Sequence, residues 1–153
     1  MIDLDILTAL RARAAQILTA NGYHTNAGAQ IYQGRVFDLE TDPVPAIVIT
    51  QPEDDADLVE DDEISTAPRW ISTFVLEAYA AVSATDPLPD LMRLRADLLT
   101  ACYRPEPDRT DTLGDTVAAL VVVGTTKLMP APGQTIGMGQ LTLRAEDAEI
   151  IGD

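Results

Sequence analysis

Two adjoining stretches decide how this chain folds: Trp70-Ile71-Ser72-Thr73-Phe74-Val75-Leu76-Glu77-Ala78-Tyr79-Ala80, and Asp86-Pro87-Leu88-Pro89-Asp90-Leu91 continuing to Cys102. The first is rich in β-branched and aromatic residues and lacks Gly and Pro, which predicts a long strand near the middle of a sheet. Alternation places Trp70, Ser72, Phe74, Leu76 and Ala78 on one face, the more apolar one. Ile71, Thr73, Val75, Glu77 and Tyr79 take the other. In the second stretch Asp86-Pro87 reads as an N-cap and first turn, and Pro89 still falls where a missing N–H costs nothing. Leu88, Leu91, Leu94 or Arg95, Leu98, Leu99 and Cys102 then recur at helical spacing, predicting an amphipathic helix that stops before Pro105.

The flanking segments must supply partners for this strand-turn-helix unit. Toward the N-terminus, Asp3 can cap a helix running to about Ala20, with Leu7, Leu10, Ala14, Ile17 and Leu18 as its buried stripe and Asn21-Gly22 as its stop. Ile31 to Phe37 reads as a strand in which Gly34 marks a bulge or close approach. Ala46 to Thr50 is a short apolar strand beside it. Toward the C-terminus, 104–116 reads as a polar surface linker and Val117 to Thr125 as a β-branched strand. Lys127 to Gly139, with two prolines and three glycines, suits a long flexible loop. Gln140 to Ala145 alternates as a last strand. The expectation is a single domain over 1–153 of α/β (α+β) class, with a mixed or mostly antiparallel sheet of about 4–5 strands packed against two main helices.

Composition bounds the function. The 153 residues carry a formal charge of -15, with 46% hydrophobic content. Such a charge repels nucleic acid phosphates, arguing against a general DNA- or RNA-binding surface while suiting a surface that DNA must slide past. Cys102 is the only cysteine and reads as a core residue. No run approaches the roughly 20 apolar residues of a membrane helix, and Met-Ile-Asp-Leu-Asp does not resemble a signal peptide, so cytoplasmic synthesis is expected.

Between 51 and 68 the character changes. Glu53, Asp54, Asp55, Asp57, Glu60, Asp61, Asp62 and Glu63 place eight carboxylates in eleven positions. They lack the alternation, central Gly and final Glu of a helix-loop-helix calcium site, so an exposed loop or β-arm is expected and no metal. Carboxylates on a mobile connection lack the fixed separation that acid–base work requires. Glu77 differs, lying within an apolar strand: it can face a subunit interface, pair with Arg69 or Arg35, or face solvent. His24 has no second ligand nearby, and Gly124, Gly133, Gly137 and Gly139 do not form a phosphate-binding loop. No catalytic residue, metal or cofactor is expected. An enzyme reading, a small hydrolase using aspartates, would need a concave pocket holding two carboxylates.

The order of helix, Gly22-Tyr23, strand with Gly34-Arg35, Pro45-Ala46-Ile47-Val48-Ile49, acidic loop, strand and helix resembles the tail terminator proteins of long-tailed phages, the family typified by minor tail protein U of lambda-like phages. The resemblance covers about residues 3 to 103. It implies a virion structural protein, made in the bacterial host cytoplasm, that forms a hexameric ring on the head-proximal end of the tail tube. There it stops tube polymerisation and presents the head-tail joining surface. The implied partners are further copies of the chain, the tail tube protein and a head-completion or connector protein, with DNA passing through without specific binding and no membrane. Arg35, Phe37, Arg69, Trp70 and Glu77, near Tyr32, become candidates for subunit contacts. The acidic residues from Glu53 to Glu63 become candidates for the lumen or a ring face. A head-tail connector or head-completion adaptor, and a non-viral acidic binding module, are the rival readings.

Overall fold

The structure is a computed structural model describing residues 2–57, 69–105, 107, 110–117 and 119–147. Helix α1 spans Ile2–Ala14, strand β1 Ile31–Gln33, β2 Ala46–Asp57, β3 Arg69–Ala81, helix α2 Leu88–Cys102, β4 Ala119–Leu128 and β5 Ile136–Asp147. The five strands form one sheet in the order β1-β2-β3-β5-β4. Only β1 and β2 run parallel, so the expected α+β fold with a mixed sheet and two helices is what the chain adopts.

Central β3 follows its alternation. Ser72, Phe74, Leu76 and Ala78 are buried, whereas Thr73, Val75, Glu77 and Tyr79 are half-buried. The buried row joins Ile47 and Ile49 of β2 and Leu141 and Leu143 of β5 with Ile6 and Leu10 of α1 and Leu91, Leu94 and Leu98 of α2 in one core. Both helices therefore cover the same face of the sheet. Their burial of branched aliphatic side chains, each contributing roughly 1.5–3 kcal/mol, drives that arrangement.

Boundaries or faces of several elements differ from the sequence reading, β4 among them, which runs Ala119–Leu128 and not Val117 to Thr125. Helix α1 ends at Ala14, and Ile17 reaches the core from the following turn, where the Gly28 amide donates to the Ile17 carbonyl at 2.8 Å. Asp3 lies inside the first turn and accepts a 2.7 Å hydrogen bond from Ser72 Oγ. Strand β1 stops at Gln33 because Gly34 takes a φ of 71°, turning the chain away while its amide still donates to the Ile49 carbonyl.

Strand β2 continues past Thr50 to Asp57 across a register shift, pairing 53–57 with Thr73 back to Arg69. The ladder uses backbone groups, so acidic composition did not forbid it. Strand β5 begins at Ile136, inside the stretch read as a loop. A Cβ on Gly139 would lie 3.3 Å from the Arg95 amide nitrogen and Leu94 Cβ, and one on Gly137 2.6 Å from Leu91 Cδ2. These glycines let α2 lie close on the strand. Within α2, Leu88 and Leu99 are exposed and Asp97 takes an inward position instead.

Candidate assembly surfaces

Among the described residues, the second face of the sheet carries no helix. Across it run the rows Ala46–Tyr79–Met138, Val48–Glu77–Gln140 and Thr50–Val75–Thr142. The crossover from β1 to β2, residues 34–45, folds over one corner of this face. Phe37, 7% exposed, stacks on Tyr79 with ring centroids 4.2 Å apart and 10° between planes, over Ala46 and Val48.

Local polar bonds hold the crossover in shape. Arg35 Nη2 donates to Asp42 Oδ1 at 2.8 Å, and its guanidinium lies 4.0 Å above the Tyr32 ring. The Asp38 amide donates to Asp42 Oδ2 at 2.8 Å, and the Glu40 amide to Asp38 Oδ1 at 2.9 Å. The Arg35 hydrogen bond holds the Asp42 carboxyl below its usual range, and the Thr41 hydroxyl and Glu40 amide do the same for Asp38. With Phe37 turned inward, Val36 (90% exposed) and Leu39 (47% exposed) point outward from a braced loop. Beneath it, Tyr79 Oη donates to Glu77 Oε2 at 2.6 Å. Burial first, then that carboxylate, keeps the phenol protonated well above its ordinary value.

Among the expected contact residues, Arg35, Phe37 and Glu77 thus meet at one corner. Arg35 bonds Asp42, not Glu77, and Phe37 is consumed inside its own subunit, because an aromatic ring this size finds Tyr79 within reach. The backbone of Arg69 and Trp70 lies at the far end of β3, opposite Asp57 and Ala56. The backbone of Glu53, Asp54, Asp55 and Asp57 forms the end of β2, so the β2–β3 pair is an arm at least that far. The side chains of these six residues, and Glu60, Asp61, Asp62 and Glu63 altogether, lie outside the described residues.

Two buried carboxylates escaped the sequence reading. Asp97, 2% exposed, accepts from the His24 amide at 3.1 Å, the Thr25 amide at 2.8 Å and the Thr25 hydroxyl at 2.7 Å. It pins the α1–β1 connection to α2. Asp111, equally buried, accepts from both Arg13 Nη atoms at 2.5 and 3.0 Å, from the Arg104 amide at 2.7 Å and the Leu113 amide at 2.9 Å. Burial pulls its pKa upward, but these donors outweigh it and hold the carboxyl below its usual range. An acid placed at an apolar helix position was the available signal for Asp97. Asp111 sat in what read as a linker, with nothing nearby to mark it.

Asp111 and Asp115 share a hollow of about 470 Å³ with Arg13 and Arg104. The tight, low-pKa Asp111 suits an anchor and not a proton carrier near neutrality. The buried Cys102 thiol is pushed up to about 12 by its surroundings, which leaves it protonated and unreactive. Among the described residues, no group of three His, Cys, Asp or Glu is placed to hold a metal.

No protein-family model matches this chain, and no curated protein does. A similar solved structure is a chain of the "Virion of native gene transfer agent (GTA) particle", 15% identical, with 92% of this chain and 96% of that chain covered and a TM-score of 0.46. Similarity at that level is no guide to function.

Proposed function

We propose that the chain is a structural subunit of the tail terminator class, which caps the head-proximal end of a phage tail tube as a ring and acts by contact, not by catalysis. The observation that supports this most is the one-sided sheet. Both helices cover one face, while among the described residues the other is closed only at the Phe37–Tyr79 corner, and the sheet ends in two different edges, β1 and β4. Unlike edges on opposite sides allow head-to-tail association, and a contact of that kind closes as a ring when the rotation between copies allows. The element order from α1 through α2 is the order on which the family resemblance rests.

In this reading the work of the protein is steric. Ring closure exhausts the lateral contacts, one annulus meets the tube and the other the head-completion partner. The acidic β2–β3 arm gives a lumen or ring face that DNA passes without adhering, since each carboxylate adds to the repulsion of phosphate. Native mass combined with negative-stain imaging, at high protein concentration and several salt levels, tests the reading. A closed six-subunit ring with a central channel is the expected result. A two-fold dimer, or a monomer that neither closes a ring nor halts tube growth when mixed with tail tube protein, overturns it.

A further inference from the structure

The lateral contact can be assigned more closely, on the ring reading just given. At 100° per residue, Leu88, Met92, Arg95 and Leu99 fall within roughly 60° of one another on α2. Leu88, Met92 and Leu99 are exposed although this helix packs on the sheet. The opposite flank of α2 holds Asp97 against His24 and Thr25, so the exposed stripe faces the other way, toward edge strand β4. Arg95 sits over Gly139, whose partner on β4 is Lys127. In a chain of charge -15, both cations are free of ion pairs among the described residues. At its end this groove opens into a hollow of about 450 Å³ between Pro87 and the turn from Met129 to Thr135.

At the other edge, the β1–β2 crossover carries the complementary set. Val36 and Leu39 project, and Glu40 beside them is exposed with its side chain uncommitted among the described residues. Phe37 and the Arg35–Asp42 pair already order the loop, so docking it costs little conformational entropy.

We propose that the α2–β4 groove receives the β1–β2 crossover of a second copy of this chain, Val36 and Leu39 entering the apolar stripe and hollow while Glu40 meets Lys127 and Arg95. The occupant follows from charge and from geometry. A basic, apolar groove on one edge and an acidic, apolar knob on the opposite edge cannot satisfy each other within one subunit, and between subunits they make a head-to-tail contact.

Cysteine trapping with charge reversal tests this on the full chain. The Leu39→Cys and Met92→Cys single variants, mixed at high concentration under mild oxidation, should give a cross-linked pair, and the double variant a ladder ending at a closed ring. Wild-type protein is the control, its buried Cys102 staying inert. Glu40→Lys or Lys127→Glu should each weaken association about tenfold, and the two together should restore it to within about threefold. A ring seen by native mass without the Leu39→Cys to Met92→Cys product overturns this contact and leaves the ring reading standing. Cross-linked open chains that never close support the contact and count against the ring. No product and no assembly at any concentration, whether alone or mixed with tail tube protein, overturns both, and a Leu39→Cys product with itself alone replaces the head-to-tail contact by a two-fold one.

Discussion

Toward the helices, β3 presents Ser72, Phe74, Leu76 and Ala78 to a sealed core; away from them, the same strand presents Thr73, Val75, Glu77 and Tyr79, all of them half-buried. Neighbouring positions on one backbone thus differ in what covers them. The inner row meets Leu141 and Leu143 beside it and two helices above. The outer row meets Gln140, Thr142 and Arg144 beside it and, among the described residues, only Phe37 above, at one end. The difference teaches where the chain spends its own side chains and where it leaves sheet surface available. A subunit that works by contact needs such a surface, and an isolated protein would gain stability by covering it.

The sharpest way to break this comparison is to truncate adjacent residues on the two faces. Phe74→Ala should cost about 4 kcal/mol, because the cavity it leaves is bounded by packed aliphatic side chains. Val75→Ala should cost under about 1 kcal/mol, since its side chain is only half withdrawn from water. Urea unfolding of the isolated subunit measures both. Equal losses would mean that the outer face is as well packed as the inner one.

The elements legible in sequence were those whose signal is local. Alternation through Phe74, Leu76 and Ala78 placed β3 and its inner face, and the spacing of Leu91, Leu94 and Leu98 placed α2. What was not legible depended on distant residues. Gly137 and Gly139 read as loop punctuation, yet their role is to admit α2, a demand visible only once the helix lies on the strand. Asp54 and Asp55 read as part of an exposed loop or a β-arm, and it is the ladder their backbone finds on β3 that makes it an arm as far as Asp57. Asp97 and Asp111 take their side-chain partners from Thr25 and Arg13, 72 and 98 residues away. Of the residues expected at subunit contacts, Arg35, Phe37 and Glu77 lie near one corner, with Phe37 and Arg35 turned toward Tyr79 and Asp42 of their own subunit, partners that spacing along the chain did not mark.

The helix-covered side also contains the charged anchor with most at stake. Asp111→Asn should cost about 2–3 kcal/mol near neutral pH, because it leaves the Arg13 guanidinium without its counter-charge in a largely buried setting. The pH dependence carries a definite sign. Asp111 is depressed in the folded protein relative to 3.8 when unfolded, so its contribution is fully present above that value and is lost as pH falls through the folded one. Denaturation followed from pH 7 down to about pH 2 should therefore show the gap between wild type and Asp111→Asn holding near neutrality and narrowing as pH falls below the ordinary carboxylate range. A gap that stays constant over that range would assign the loss to packing and not to the carboxylate.

The smallest expected effect lies on the open face. Tyr79→Phe keeps the ring that stacks on Phe37 and removes only the hydroxyl that donates to Glu77. Glu77 is half-buried, so water can replace that donor, and the loss should be about 0.5–1 kcal/mol, in the range of one hydrogen bond exchanged with solvent. Because the phenol titrates far above its ordinary value, the bond persists across the working pH range, and the difference between the two proteins should be flat from pH 6 to pH 9. A loss above about 2 kcal/mol would show that water does not reach Glu77. The outer face would then be closed well beyond the Phe37 corner, and the contrast between the two faces of β3 would shrink accordingly.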